Sequence, residues 1–359
     1  MRIAIYADPL MGKGGGSKVI IDLANHLNAD IFTSGFNNKL RAKLKKNIKI
    51  MDIGNISIHK NYSFGYLFEA PLRYLFYKKK TYDLNIYIGT FSIFSSHKNE
   101  KNIWLSLTPN RIIYDLKEWK LQTASPFKKI IYLLHAALFQ KKDQEVIRNN
   151  FNKIVTQNMV VQKRIKKYYD KDATIIHSSI PVGEYMFNKF GDYFLTVSRL
   201  LPEKRIDLTV KSFAKLTSQK LVIVGDGPEK NRIREMIKEH KNIILHDSVD
   251  DTNLRKLYAD CLATIYVPLN EDFGLVPLEG MASGKACIAV NEGGCKETVL
   301  PGKTGLLVTP SVQGITSAVK SFDVNKAKSM KTNCLSWARN FDTAQSMKLW
   351  EKEVKTVIN

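Results

Sequence analysis

The 359-residue chain has no apolar run near the ~20 residues that a membrane-spanning helix needs. Its N-terminal "MRIAIYADPL" reads as a buried first strand, without the long apolar stretch and small-residue cleavage site of a secretory signal. Cysteine is scarce. Cys261, Cys287, Cys295 and Cys334 form no close pair, which argues against a disulfide framework or a metal site and predicts packed, reduced thiols in a cytoplasmic protein. No repeat of solenoid period and no low-complexity tail is present. Acidic residues are also few, 34 against 55 lysines and arginines, for a formal net charge of +21. The deficit is one-sided. Residues 1–190 hold 31 basic and 14 acidic residues, whereas 191–359 hold 24 and 20. An excess confined to one half suggests an anionic partner: nucleic acid, a phospholipid surface or a phosphorylated substrate. A merely solvated lysine-rich surface would give the same total.

What is present alternates. "RIAIYAD", a glycine loop and "SKVIIDLANHL" read as strand, loop and helix, with Val19, Leu23 and Leu27 on one helical face. Apolar runs at "LNIYIG", "NIWLSL", "KIVTQ" and "ATIIHS" follow between helical stretches. "SSIPVGEYMFNKFGD" (178–192) interrupts this rhythm with Pro181, Gly183 and Gly191 and reads as a linker. The pattern then restarts with "YFLTVS", "KLVIVG", "NIILH", "LATIYVP", "ACIAV" and "GLLV". The fold class expected is α/β: two Rossmann-like domains, 1–180 and 181–340, facing across a cleft, with a helix over 341–359 packing back on the first. Ligands should sit at the carboxyl ends of the strands.

The chemistry concentrates in four loops of the second half. In "NEDFGLVPLE" (270–279), Pro277 suits the first position of a helix, and Gly274 lets backbone approach a ligand. Free amides at such a start suit a phosphate, with Glu271 and Glu279 placed for hydroxyls. Taken alone, two glutamates eight residues apart are equally ordinary surface residues. "DFG" also matches a kinase motif, but no "HRD" or "VAIK" accompanies it. In "SRLLPEKRIDL" (198–208), Arg199 and Lys204 follow a strand, where two cations can neutralise a departing diphosphate. "VIVGDGPE" and "NEGGCKETV" add glycine-rich strand ends. Together these loops describe a nucleotide-diphosphate pocket.

"SRLLPEKRIDL", "LVIVGDGPEK", "NEDFGLVPLEGMASGKACIAVNEGGCKETV" and "GKTGLLV", in this order, resemble glycosyltransferase family 4, retaining enzymes of the GT-B fold. The first half is similar more loosely, through "GKGGGSKVIIDLANHL" and "LTPNRIIYDL", the latter looking like a segment of mannosyltransferase-like members. The resemblance implies that Glu271 contacts the donor sugar. It implies sugar contacts from the amides of Phe273 and Gly274, and phosphate contacts from those of Leu275 and Val276. Glu279 would hold the ribose, Arg199 and Lys204 the diphosphate, and Val249 the base. Gly225 belongs to the donor loops, and Gly14, Gly15 and Gly16 would close on the diphosphate from the first domain. Two departures stand out. Leu107 occupies the position of a histidine that approaches the donor sugar in the family, leaving His97 as a substitute candidate. Ser17 and Lys18 stand where a glutamate and an arginine are usual, and with Arg111 are the acceptor-side candidates.

The resulting expectation is a retaining hexosyltransferase using a GDP- or UDP-linked sugar, mannose first, with a glycan or lipid-phosphate-linked acceptor. An anionic membrane surface is the expected further partner, with peripheral attachment on the cytoplasmic face; nucleic acid is not expected. No metal or other cofactor is expected, since Asp170 and Asp172 in "YYDKDATII" read as a turn. A nucleotide-sugar epimerase or phosphorylase of the same fold and a non-catalytic anionic-surface module are the rival readings. "FKKIIYLLHAALFQKK" (127–142) is either an interfacial helix or a domain helix.

Overall fold

The computed structural model describes residues 1–11, 14–54, 64–77, 80–247 and 249–359, with the side chains of 64 and 65 excepted. The chain divides into two units. One comprises Met1–His177 with Met347–Asn359, the other Ser178–Ser346.

The first unit is built on a seven-stranded parallel sheet: β1 (Ile3–Ala7), β2 (Asp30–Thr33), β3 (Ile50–Asp52), β4 (Leu84–Ile88), β5 (Asn102–Ser106), β6 (Lys153–Thr156) and β7 (Thr174–Ile175). Their spatial order is β3-β2-β1-β4-β5-β6-β7. β2 and β3 were not read from the sequence; at four and three residues they are too short to show a pattern. The pleat of β1 sends Ile3, Ile5 and Ala7 into one core layer and Ala4 and Tyr6 into another. The first layer packs under the helix Gly15–Leu27, the turn around Leu40 and Leu44, and Met347, Trp350 and Val354 of the helix Thr343–Ile358. The second packs under the helices Phe64–Phe76, Pro126–Asn150 and Met159–Tyr169.

The second unit repeats the plan with β8 (Tyr193–Val197), β9 (Lys220–Val224), β10 (Ile243–His246), β11 (Ala263–Tyr266), β12 (Cys287–Val290) and β13 (Gly305–Val308). All are parallel, in the order β10-β9-β8-β11-β12-β13. Both sheets are doubly wound, so their order reverses beside β1 and beside β8. There the loops after β1 and β4, and after β8 and β11, diverge and leave a crevice at the strand ends. Residues 178–192 are not a free linker. Ile180 exchanges backbone bonds with Phe341 and Thr343, and the amides of Asn188 and Lys189 donate to the carbonyl of Ala259. Proline and glycine there mark irregular backbone, which is tied into the second unit.

Candidate active site

The site forms where the order of the second sheet reverses. After β8 the chain makes a short turn, Pro202–Lys204, and enters the helix Ile206–Ala214 through Arg205, whose φ is 51°. After β11 it runs through Asn270 (φ 45°) to Gly274 (φ 96°), and the helix Leu275–Ala282 begins. This helix starts two residues earlier than proline placement predicts: Pro277 is its third residue, still within the first turn, where no intrahelical partner awaits an N–H. Gly274 offers no side-chain cap and the first turn holds no acidic residue. The amides of Leu275 and Val276 therefore form an electropositive helix start suited to an anion.

Lys204 reaches this crevice from the β8 loop and Glu271 from the β11 loop, and they meet at 2.6 Å with side chains only 16% and 15% exposed. The Tyr266 hydroxyl also bonds Glu271, and burial, reinforced by that carboxylate, drives its pKa far up, so it stays a phenol. The loops are laced together. The amide of Leu269 donates to the carbonyl of Glu203 at 2.7 Å, and that of Gly294 to the carbonyl of Glu271 at 2.7 Å. Glu292, after β12, accepts from Arg205 at 2.9 Å and from the amide of Asn270 at 3.1 Å. A Cβ on Gly293 would overlap the carbonyl oxygen of Glu271, and one on Gly294 would lie 2.5 Å from Cα of Phe273. The glycine pair thus seats the Glu271 loop against the β12 loop. Arg205 and Glu292 escaped sequence reading, although both lie inside the quoted motifs. Arg199 is exposed at the mouth of the β8 loop.

Glu279, one turn into the helix, accepts from the Tyr258 hydroxyl at 2.8 Å and also bonds the hydroxyl of Tyr185. Burial and this carboxylate push both phenols well above their ordinary range. Val249, after β10, and Tyr185 both pack against the small buried cluster that contains Tyr258. Gly225 is also held by packing. A Cβ there would overlap the carbonyl oxygen of Ser198, so its bare backbone lets the β9 loop lie against the β8 loop. The four cysteines are free and buried, and burial raises Cys261, Cys287 and Cys334 to about 12.

In the first unit, the helix Gly15–Leu27 begins at Gly14 with no side-chain cap and no acidic residue in its first turn, which contains Ser17 and Lys18. Leu107 stands beside this start, its Cδ1 at 3.4 Å from where a Cβ on Gly16 would lie. The position of the absent histidine is therefore adjacent to the glycine loop. Gly12 and Lys13, in the same motif, lie outside the described residues.

His97 is at the other end of the sheet. Its carbonyl accepts from the side chain of Asn102, the first residue of β5, so it belongs to the amino-terminal edge and cannot replace the histidine missing at Leu107. Arg111 is held by Asp115 at 2.9 Å, and Arg164 approaches the same carboxylate at 3.3 Å. Asp170 and Asp172 are exposed and both face Lys166. Among the described residues no cluster of three or more metal-ligating side chains occurs. One residue at the switch point of the first sheet went unnoticed in the sequence. Asp8, half-buried after β1, accepts from the amides of Thr90, Phe91 and Ser92 at 2.7–2.9 Å, and desolvation raises its pKa to about 6.

Residues 184–334 match the family described as glycosyl transferases group 1. The chain is 24% identical over 427 aligned positions to the alpha-1,3/1,6-mannosyltransferase ALG2 of Dictyostelium discoideum, covering all of this chain and 98% of that protein. Its fold is shared by the sucrose-phosphate synthase of Thermosynechococcus elongatus (TM-score 0.80, 17% identity, 99% of both chains). It is also shared by Anabaena Alr3699/HepE, solved with UDP-glucose (TM-score 0.75, 15% identity, 99% of this chain and all of that one). The second unit accordingly carries a group 1 glycosyl transferase domain, and the chain is a glycosyltransferase with the two-domain GT-B fold.

Proposed function

We propose that the chain transfers mannose from GDP-mannose, with retention of configuration, to a glycan or lipid-phosphate-linked acceptor. The observation that carries this reading is the meeting of Lys204 and Glu271 beside an uncapped helix start in the crevice of the second sheet. The helix start, Lys204 and Arg199 supply the positive field that a leaving nucleoside diphosphate requires, so no metal ion is needed. As the bond from the sugar C1 to the phosphate oxygen breaks, the acceptor oxygen attacks the same face and its proton passes to the departing phosphate. Glu271, with the amides of Phe273 and Gly274, orients the sugar. Leu275 and Val276 hold the phosphate, Glu279 the ribose, and the backbone at Val249 the base. Gly14, Gly15 and Gly16 give the first unit its own anion-binding helix end, with Ser17, Lys18 and Arg111 on the acceptor side. The one-sided charge supports an acceptor presented at an anionic lipid surface.

The choice of mannose rests on the full-length mannosyltransferase relative and on "TPNRIIYD". The complex of the HepE protein with UDP-glucose makes a UDP-linked hexose the competing donor. A thermal-shift screen of GDP-, UDP- and ADP-sugars separates them. Stabilisation by GDP-mannose above the others is expected, and selective stabilisation by a UDP-sugar would overturn the base assignment. An α-linked product from the α-linked donor, read by NMR, tests retention.

A further inference from the structure

The helix Pro126–Asn150 is apolar on two sides. Its inward face buries Ile131, Ala136, Val146 and Ile147. Its outward face is also apolar: Phe127 is 71% exposed, Ile130 64%, Leu134 44% and Leu138 56%. Spaced by three, four and four residues, these form one stripe about 16 Å long. Beside it, Phe64–Phe76 presents Leu72, Leu75 and Phe76, the last 77% exposed, and its Phe68 packs edge-on against His135 and Phe139 of the longer helix. A contiguous apolar surface of this kind marks an interaction site.

The charge around it identifies the occupant. From 117 to 142 there are six lysines and one acidic residue, Glu118. Lys128 and Lys129 lie at the start of the stripe, between Phe127 and Ile130, and Lys141 follows its end; none has a carboxylate partner among the described residues. Just upstream, Lys120 lies 5.1 Å over the ring of Trp119, in the helix Lys117–Thr123, which buries none of its residues. An apolar stripe closed at both ends by unpaired lysines and flanked by a tryptophan has the pattern of a helix lying in a lipid interface. No described helix is long and apolar enough to cross a membrane.

We propose that the first unit docks on an anionic lipid surface by the outward face of Pro126–Asn150, extended by the end of Phe64–Phe76, with the flanking lysines at the level of the phosphates. This rests on the lipid-surface part of the function above and names the face. It also reassigns the charge. The basic run "KLRAKLKKNIK" (39–49) packs with the opposite core layer, and Arg41 donates to the carbonyls of Lys46 and Ile48 at 3.0 Å. The run "YKKK" includes Lys78 and Lys79, outside the described residues.

The test is co-sedimentation of the full chain with phosphatidylcholine vesicles and with vesicles carrying 30% phosphatidylglycerol, at low and high salt. The parent should prefer the anionic vesicles. Ile130→Glu/Leu134→Glu should weaken binding at least about tenfold, Lys128→Glu should weaken it about fivefold or more, and Lys45→Glu on the other face should stay within about twofold. Because the native cysteines are buried, Leu134→Cys can be labelled selectively with an environment-sensitive dye, whose emission should shift blue on anionic vesicles. Binding by the double variant equal to the parent's, or an unshifted dye, refutes the face while leaving the lipid-surface reading intact. A parent that ignores anionic vesicles refutes both, without touching transfer to a soluble acceptor. A dimer that the double variant splits would make a second copy the occupant and overturn the proposal.

Discussion

Replacing Glu271 by glutamine should move two measurements in opposite directions. The parent carboxylate lies 2.6 Å from Lys204 in a site where both side chains are about 85% buried. A bare pair at that distance is worth about 1.6 kcal/mol in water and about 6 kcal/mol at an effective dielectric of 20, before desolvation is subtracted. After desolvation is subtracted, the net coupling should fall near 1–2 kcal/mol, or about 5- to 30-fold. In the unliganded protein Glu271 engages the ammonium that the diphosphate must use. Removing the charge frees Lys204, so nucleoside diphosphate should bind tighter by about 5-fold or more. Transfer should meanwhile fall by on the order of 100-fold or more, because the sugar loses its orienting contact. The unpaired lysine should lower the melting temperature by about 2–8 °C. Calorimetric titration of GDP and UDP, alongside a nucleotide-release assay, reads both. Weaker diphosphate binding, or near-normal turnover, would refute the placement of Glu271 between cation and sugar.

Arg199→Ala should weaken diphosphate binding with less than about 0.5 kcal/mol of lost stability, since its side chain is exposed; an unchanged affinity would put the phosphates elsewhere. Lys204→Ala should weaken the diphosphate about 10-fold or more and leave the bare nucleoside unaffected, by the same titration. Gly293→Ala should destabilise the second unit by about 2 kcal/mol or more and slow transfer together, because its Cβ has to displace Glu271; denaturant melts at unchanged midpoint would refute that packing. Asp143, buried under the hydroxyls of Tyr114 and Tyr169 at 2.6 and 2.8 Å, is raised by desolvation to about 6. A pKa raised in the fold contributes stability below about pH 4 that is lost as the pH rises through 6. Both phenols donate to one oxygen, which an amide carbonyl can replace. The parent-minus-Asp143→Asn stability difference should therefore fall by on the order of 2–3 kcal/mol across that window, and a flat difference would refute it.

The second unit was legible strand by strand because each of its strands is a compact apolar run, most of them followed within a few residues by glycine or proline. The loops proposed to hold the donor stood out because glycines, cations and carboxylates recur at strand ends, where a doubly wound sheet places ligands. What sequence reading missed depends on which end of the sheet, or which face, a residue reaches. His97 lies only nine residues past β4, yet the chain has already crossed to the opposite edge. Gly225 reads in the sequence as a ligand glycine, and its close approach to the Ser198 carbonyl appears only in the fold. Asp8 looked like the end of a strand, because three backbone amides from residues 90–92 are invisible in a linear reading. The stripe on Pro126–Asn150 could not be told from a core face, since periodicity locates a face without saying what covers it.

The first unit is discontinuous. Met347, Trp350 and Val354 lie in its core, Glu351 pairs with His26 at 2.8 Å, and Glu353 pairs with Lys153 at 2.8 Å. On the ribosome these side chains emerge only after all of residues 178–346. The second unit, contiguous in sequence, can complete its core during synthesis, whereas the first must wait with β1 and the glycine-led helix uncovered by Trp350. The order of birth is thus the reverse of the order of completion: the segment made first is sealed last, and a nascent chain arrested before residue 347 should already bind nucleotide while its first unit remains open to protease.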